Sequence, residues 1–193
     1  MLQVPYNIIL GSQSPRRQEL LRGLDVNFTV KVIDGLTENY PATLQGEAIP
    51  QFLAQQKADA YLNQLAPQDM LITADTIVWL DGIVYGKPSN ETEAKTMLRA
   101  LSGKTHDVIT GVCVTTTKRQ ETFTAVSKVT FATFSDDEIN YYIETYRPMD
   151  KAGSYGVQEW IGYIGVERID GSFYNVMGLP VQRLYTLLKN WKE

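Results

Sequence analysis

Tyr6-Asn7-Ile8-Ile9-Leu10-Gly11-Ser12-Gln13-Ser14-Pro15-Arg16-Arg17 is the stretch on which the fold turns. Tyr6 to Leu10 is an apolar run of strand length that stops at a glycine, as a buried strand does. Ser14-Pro15 then opens a helix. A serine at the N-cap can accept from a backbone N–H of the first turn, and proline suits the first helical position because the N–H it lacks would have no partner there. Leu20, Leu21 and Leu24 give this helix an apolar edge. A strand leading through a short loop of small residues into a helix points to the α/β class.

Outward from that opening, helices and strands keep alternating. A second helix is expected from about Ala48 to Leu65, with Ile49, Phe52, Leu53, Ala60 and Tyr61 on one side. Met70 to Ala74 reads as a short apolar strand, and Thr76 to Tyr85 as a hairpin turning at Asp81-Gly82. Asn90 with Glu93 resembles a capping box for a helix carrying Ala94, Met97, Leu98 and Leu101 inward, stopped by Gly103. His106 to Thr117 and Glu121 to Phe134 read as two strands joined near Lys118-Arg119-Gln120. Ser135 and Glu138 form a second capping box, for a helix buried through Ile139, Tyr142, Ile143 and Tyr146. A glycine-rich loop follows from Arg147 to Glu159, then a hairpin about Asp170-Gly171. A last helix turns Val181, Leu184, Tyr185 and Leu188 inward. The pattern predicts an α/β domain over residues 1–193 with a mixed sheet, with no repeat or linker to divide it.

Composition narrows the chemistry. Among 193 residues, Lys and Arg number 18 against 22 Asp and Glu, a net charge of −4. No global basic field draws such a chain to nucleic acid or to an acidic membrane face, so an anionic ligand needs a local cluster of positive groups. With one cysteine, Cys113, and one histidine, His106, neither an intramolecular disulfide nor a zinc site of the usual ligands can form, and a metal would have to be a hard cation held by oxygen. The start, Met1 to Ser14, lacks the basic region of a signal peptide, and no run approaches the roughly 18 apolar residues of a membrane span. A soluble, cytoplasmic protein is expected.

Five places carry polar residues that pattern alone does not require. Gly11 to Arg17 joins small residues, a helix start and two arginines, a combination suited to phosphate; cations there oppose the helix dipole and call for an anion or carboxylate nearby, or else stand in solvent. Lys57 lies on the apolar stripe of its helix, four residues from both Leu53 and Tyr61, so it either snorkels to water or points its ammonium inward. Asp75, where an apolar run ends, is placed to bind a hard cation or take a proton from water, or to cap a turn. Lys87 stands in Gly86-Lys87-Pro88-Ser89, stiffened by proline. Ser102-Gly103-Lys104-Thr105 is no P-loop, because position 98 is leucine where that motif needs glycine. Pro148 to Gln158 groups glycines, a lysine, an aromatic and an amide, which suits a pocket for a planar base or a long structural loop. His106 and Cys113 read as packing residues, since nothing supplies a third member of a nucleophile–base set. Glu38 is a loop acid with no signal of its own.

Taken together, Gly11-Ser12-Gln13-Ser14-Pro15-Arg16-Arg17, Ala74-Asp75-Thr76, Gly86-Lys87-Pro88, Leu101-Ser102-Gly103-Lys104-Thr105-His106 and Thr110-Gly111 resemble the Maf family of nucleoside triphosphate pyrophosphatases. The likeness runs from Ile8 to about Leu188, with the motifs in the family's order. Asp150-Lys151-Ala152-Gly153-Ser154-Tyr155-Gly156-Val157-Gln158 is similar to the branch acting on dTTP and UTP, and differs from the sister branch that prefers 7-methyl-GTP. The resemblance implies a functional set of Ser12, Arg16, Glu38, Lys57, Asp75, Lys87 and Gln158, a divalent cation (Mg²⁺ or Mn²⁺) and a homodimer. It also implies an α/β fold, a mixed twisted sheet with flanking helices and two lobes around a cleft, like that of inosine triphosphatases. In that scheme Arg16, Lys57 and Lys87 meet phosphate oxygens and Ser12 completes their cradle. Glu38 and Asp75 hold the cation, Asp75 also draws a proton from the attacking water, and Gln158 reads the base or orients the phosphates. The substrate is then a nucleotide, normal or damaged, with neither nucleic acid nor membrane as partner. Two alternatives stay open: a pyrophosphatase for 7-methyl-GTP or another modified nucleotide, and a nucleotide-binding regulator of septum formation or cell division.

Overall fold

The computed structural model describes residues 4–192. In chain order the elements are β1 (Asn7–Leu10), α1 (Pro15–Arg22), β2 (Phe28–Val30), α2 (Ala48–Asp59), β3 (Asp69–Leu80), β4 (Ile83–Tyr85), α3 (Glu91–Leu101), β5 (Thr105–Thr115), β6 (Gln120–Phe131), α4 (Asp136–Tyr146), α5 (Trp160–Gly165), β7 (Val166–Asp170), α6 (Phe173–Val176) and α7 (Val181–Lys189). Seven strands hydrogen-bond in the order β2-β1-β3-β5-β6-β7, with β4 beside β3. The sheet is mixed: β1 runs parallel to β2 and β3, whereas β3–β4 and β6–β7 are antiparallel. Among the described residues no helix is long and apolar enough to cross a membrane.

The chain forms two compact units, and β3, β5 and β6 each pass from one into the other. The first holds residues 4–75, 110–125 and 178–192; the second holds Thr76–Ile109 and Val126–Met177. In the first unit α1 begins as its sequence dictates, with the Ser14 hydroxyl accepting from Arg17 N at 3.4 Å and Pro15 in the first turn. Leu20 and Leu21 are its buried face. Helix α2 lays Ala54 and Ala58 into a cluster with Ile9, Leu71, Tyr61 and Cys113. Its first turn crosses the sheet so closely that a Cβ on Gly111 would lie 2.2 Å from the Pro50 carbonyl oxygen. Only glycine allows that approach. Burial pushes the Cys113 thiol up to about 11, which leaves it an inert packing group.

The second unit has its own core, in which Leu98, Leu101, Val129, Phe131, Ile139 and Tyr142 are almost fully buried. The α4 capping box is complete: Ser135 Oγ accepts from Glu138 N at 3.3 Å, and the Glu138 carboxylate accepts from Ser135 N at 2.7 Å. At α3 the box is shifted. Asn90 accepts from Glu93 N at 2.9 Å, but the Glu93 carboxylate reaches back to Ser89 N at 2.7 Å. His106 is buried edge-on to Phe131, with Nε2 at 2.8 Å from the Tyr155 hydroxyl.

Three expectations change. Helix α2 stops at Asp59, because Tyr61 turns away to donate to Lys31 O (2.9 Å) and accept from Ile33 N (3.1 Å), and only a 3-10 turn, Leu62–Gln64, follows. Strand β3 does not break after Ala74. It runs unbroken over twelve residues, since its polar members find partners on α2: Thr73 Oγ1 donates to Ala54 O at 2.7 Å and Asp75 receives Lys57. Asp81 and Gly82, at φ 52° and 80°, make the predicted hairpin turn. No hairpin forms about Asp170-Gly171. Strand β7 pairs with β6, and Gly171, at φ 133° against Ser127, turns the chain into α6, where Ser127 Oγ accepts from Ser172 N at 3.0 Å. Strand β2 and helix α5 carry too short a pattern to be predicted.

Two tests follow from this packing. Gly111→Ala should cost about 1–3 kcal/mol by forcing α2 off the sheet, read as a lowered urea midpoint. Burial pulls the His106 imidazole down to about 4 from its ordinary value near 6.5. The unfolded chain therefore holds more protons between those values, and His106's share of stability, full above about pH 6.5, is lost as pH falls toward 4. His106→Leu should flatten that segment of the stability–pH curve, measured by denaturant unfolding at each pH.

Candidate active site

The loop after β1 and the start of α1 supply the first group of polar side chains. Ser12 is buried, and its hydroxyl accepts from Ser14 N at 3.2 Å with Arg17 Nη1 at 3.5 Å. Arg17 also donates through Nε to Gly178 O at 2.8 Å. No acidic residue occupies the first turn of α1, so both arginines oppose the helix dipole. Burial lowers the Arg17 guanidinium pKa from its ordinary value; Asp75 opposes that shift, Arg16 reinforces it, and Glu38 opposes it. Those couplings place the Arg17 guanidinium within electrostatic reach of Asp75 and Glu38.

Lys57 joins the acids. From the last turn of α2 its ammonium lies 2.5 Å from Asp75 Oδ1 and 2.9 Å from Glu38 Oε1. The Lys57 and Asp75 side chains are 14% and 10% exposed and that of Glu38 is 42% exposed, so the cluster has a buried floor and one open side. The ammonium is turned to the carboxylates rather than along its stem to water. Asp75 sits inside β3, with its partner on α2, and not at a turn where it would cap backbone N–H groups. Two carboxylates converging on one point are the oxygen donors a hard cation takes, especially Mg²⁺, which uses one or two carboxylates together with water and substrate phosphate. Among the described residues no group of three His, Cys, Asp or Glu side chains gathers, so the protein's own donors would fill only part of a cation's coordination sphere.

In the second unit, Lys87 is exposed on the connection from β4 to α3, between Gly86 and the buried Pro88. Gly86 O accepts from Gly153 N at 3.0 Å, which ties this connection to the glycine-rich loop. Gln158 lies at the end of that loop, just before α5. Its Oε1 is shielded from solvent and has no hydrogen-bond partner among the described residues. Of the residues singled out from sequence, Ser12, Arg16, Glu38, Lys57 and Asp75 lie in the first unit and Lys87 and Gln158 in the second.

Arg17 is the residue that sequence reasoning passed over in favour of Arg16. The signal was present: Arg17 precedes the buried Leu20 and Leu21 by three and four residues and shares their face. A helical side chain points back toward the N-terminus, here toward Ser12.

The Maf-like protein family model matches residues 7–191. A protein of Phocaeicola vulgatus named dTTP/UTP pyrophosphatase is 63% identical over 184 residues, 95% of each chain. One of the same name from Porphyromonas gingivalis is 56% identical over 190 residues, covering 97% of this chain and 96% of the relative. One from Flavobacterium psychrophilum is 46% identical over 183 residues, covering 95% and 93%. In fold, the chain is similar to the Ham1 protein of Staphylococcus aureus, with a TM-score of 0.55 and 16% identity over 96% of this chain and all of that one. On a match that spans nearly its whole length, the chain belongs to the Maf family.

Proposed function

We propose that this protein is an enzyme that hydrolyses dTTP and UTP between the α and β phosphates, giving the nucleoside monophosphate and pyrophosphate. The observation that carries the proposal is the Glu38–Lys57–Asp75 cluster within electrostatic reach of Arg17, whose guanidinium meets the Ser12 hydroxyl. The names of the relatives support the substrate.

A triphosphate brings several negative charges, and phosphoryl transfer is catalysed chiefly by placing the reacting atoms and countering that charge. Arg16 and Lys57 are assigned to phosphate oxygens, with Lys87 as a further cation for them. Ser12 and the N–H groups of the α1 start complete the cradle. Asp75 is assigned as the base: it takes a proton from the water attacking the α-phosphorus while the bond to the bridging oxygen breaks and pyrophosphate leaves. Glu38 and Asp75 are the residues that would hold a divalent cation, which when bound offsets phosphate charge and polarises phosphoryl oxygens. Gln158 is assigned to the base, whose imide edge offers both a donor and acceptors to a carboxamide.

Three measurements test these assignments. Purified protein with Mg²⁺ should release pyrophosphate, not orthophosphate, from dTTP and UTP, and a chelator should stop the release until the cation is restored. Asp75→Asn should lose roughly 10²–10⁴ in kcat with its circular dichroism unchanged; near-normal turnover at saturating metal removes Asp75 from the chemistry. Lys57→Ala should lower kcat/KM by roughly 10²-fold under conditions where the variant remains folded, beyond the Tm loss that leaving Asp75 unpaired brings. Unaltered kinetics with a lower Tm would make Lys57 a structural ion-pair partner only.

A further inference from the structure

The glycine-rich loop holds a buried charge that the reaction scheme does not use. Lys151 is 7% exposed, yet its ammonium lies 3.0 Å from Glu159 Oε1 and 2.8 Å from Asp150 Oδ1. The other oxygen of Glu159 accepts from the Tyr142 hydroxyl, which in turn accepts from Gly156 N at 3.0 Å. Burial, together with the Glu159 carboxylate, pushes the Tyr142 phenol well above its usual range, so it stays a donor to that carboxylate. Glu159 N also donates to Gly156 O at 3.0 Å. The turn from Gly156 to Glu159 is thereby held at both ends, with Gln158 inside it.

The Gln158 amide lies against the same turn, and its oxygen makes no hydrogen bond among the described residues. A Cβ on Gly156 would lie 3.1 Å from Gln158 Nε2 and 2.7 Å from Glu159 Cδ, so both side chains rest against this one glycine. Taking a lysine and a carboxylate out of water returns little net stability, and apolar side chains would fill the space as well or better. A buried ion pair can instead fix the position of the segment it joins.

Fixed position matters for a carboxamide. Uracil and thymine present a donor N3–H beside an acceptor carbonyl; cytosine presents an acceptor N3 beside a donor amine. A carboxamide free to rotate by 180° matches either pattern, because its oxygen and nitrogen exchange places. Discrimination therefore requires that the amide be held one way round, and a mismatched buried pair then carries the full cost of unmet hydrogen bonds.

Building on the assignment of Gln158 to the base, we propose that Lys151, Glu159 and Tyr142 form a positioning brace that holds the Gln158 carboxamide in the orientation selecting uracil and thymine over cytosine. Lys151 touches no substrate in this scheme and acts through Glu159, Tyr142 and Gly156.

The experiment compares kcat/KM for UTP and CTP, with Tm, in wild type, Lys151→Met, Tyr142→Phe, Gln158→Ala and the Lys151→Met/Gln158→Ala double variant. Wild type should prefer UTP. Lys151→Met should reduce the UTP:CTP ratio about tenfold, chiefly through KM for UTP, and Gln158→Ala at least as much. Tyr142→Phe removes one hydroxyl from the brace and should move the ratio the same way, even if Lys151→Met fails to fold. Adding Lys151→Met to Gln158→Ala should change the ratio no further, since the brace then has nothing to hold. If Gln158→Ala alters the ratio while Lys151→Met and Tyr142→Phe lower only Tm, the brace is structural and the proposal falls, with the base assignment intact. Independent, multiplying losses in the double variant would also overturn it. An unchanged ratio in Gln158→Ala, or equal use of UTP and CTP by wild type, defeats the base assignment and the brace with it.

Discussion

A lysine ammonium held between two carboxylates is the constraint around which the first unit is arranged. Lys57 reaches Asp75 and Glu38 only because α2 lies tight on the sheet, and it lies tight only because position 111 has no side chain to meet Pro50. Thr73 adds a second tie, its hydroxyl donating to Ala54 O one turn before Lys57. Removing these charges from water is costly, and their mutual attraction roughly offsets the cost rather than adding to stability. The apolar contacts of Ile9, Ala54, Ala58, Tyr61 and Leu71 hold the helix in place so that the charged cluster need not.

The second unit solves a different problem, which is to hold a long irregular segment still. Between α4 and α5 the chain makes two 3-10 turns, Pro148–Asp150 and Ala152–Ser154, entered through Arg147 in the left-handed region at φ 48°. Gly153, also left-handed at φ 67°, packs on Val78 where a Cβ would lie 2.8 Å from the Val78 side chain. Hydrogen bonds then anchor the loop along its length: Gly153 N donates to Gly86 O, His106 pairs with the Tyr155 hydroxyl, and Gly156 N donates to the Tyr142 hydroxyl. Each tie satisfies backbone or side-chain groups that no regular ladder would pair.

Both units spend buried polar groups where apolar ones would pack more simply. Ser12, Asp75 and Lys151 are each under a tenth exposed, and each has its partners within hydrogen-bonding distance. Buried polar groups with satisfied partners specify one arrangement, because any shift leaves a charge or hydroxyl unpaired in a medium of low dielectric.

The sequence by itself determined the elements whose signals are local. Ser14-Pro15, Ser135 with Glu138, and Asp81-Gly82 each act over three or four residues, and each does in the fold what its spacing dictates. The order of the longer strands and helices, and the polar character of the loop ahead of α1, were equally legible. Tertiary structure alone decided the rest. Whether Lys57 faced water or a carboxylate, whether Asp75 ended a strand or lay inside one, and which of two adjacent arginines turned inward depended on contacts between residues far apart in the chain. So did the early end of α2, since Tyr61 is drawn off by Ile33 and Lys31 some thirty positions away. Local propensity amounts to a few tenths of a kcal/mol per residue, whereas pairing or stranding a buried charge is worth several; where the two compete, the distant partner wins.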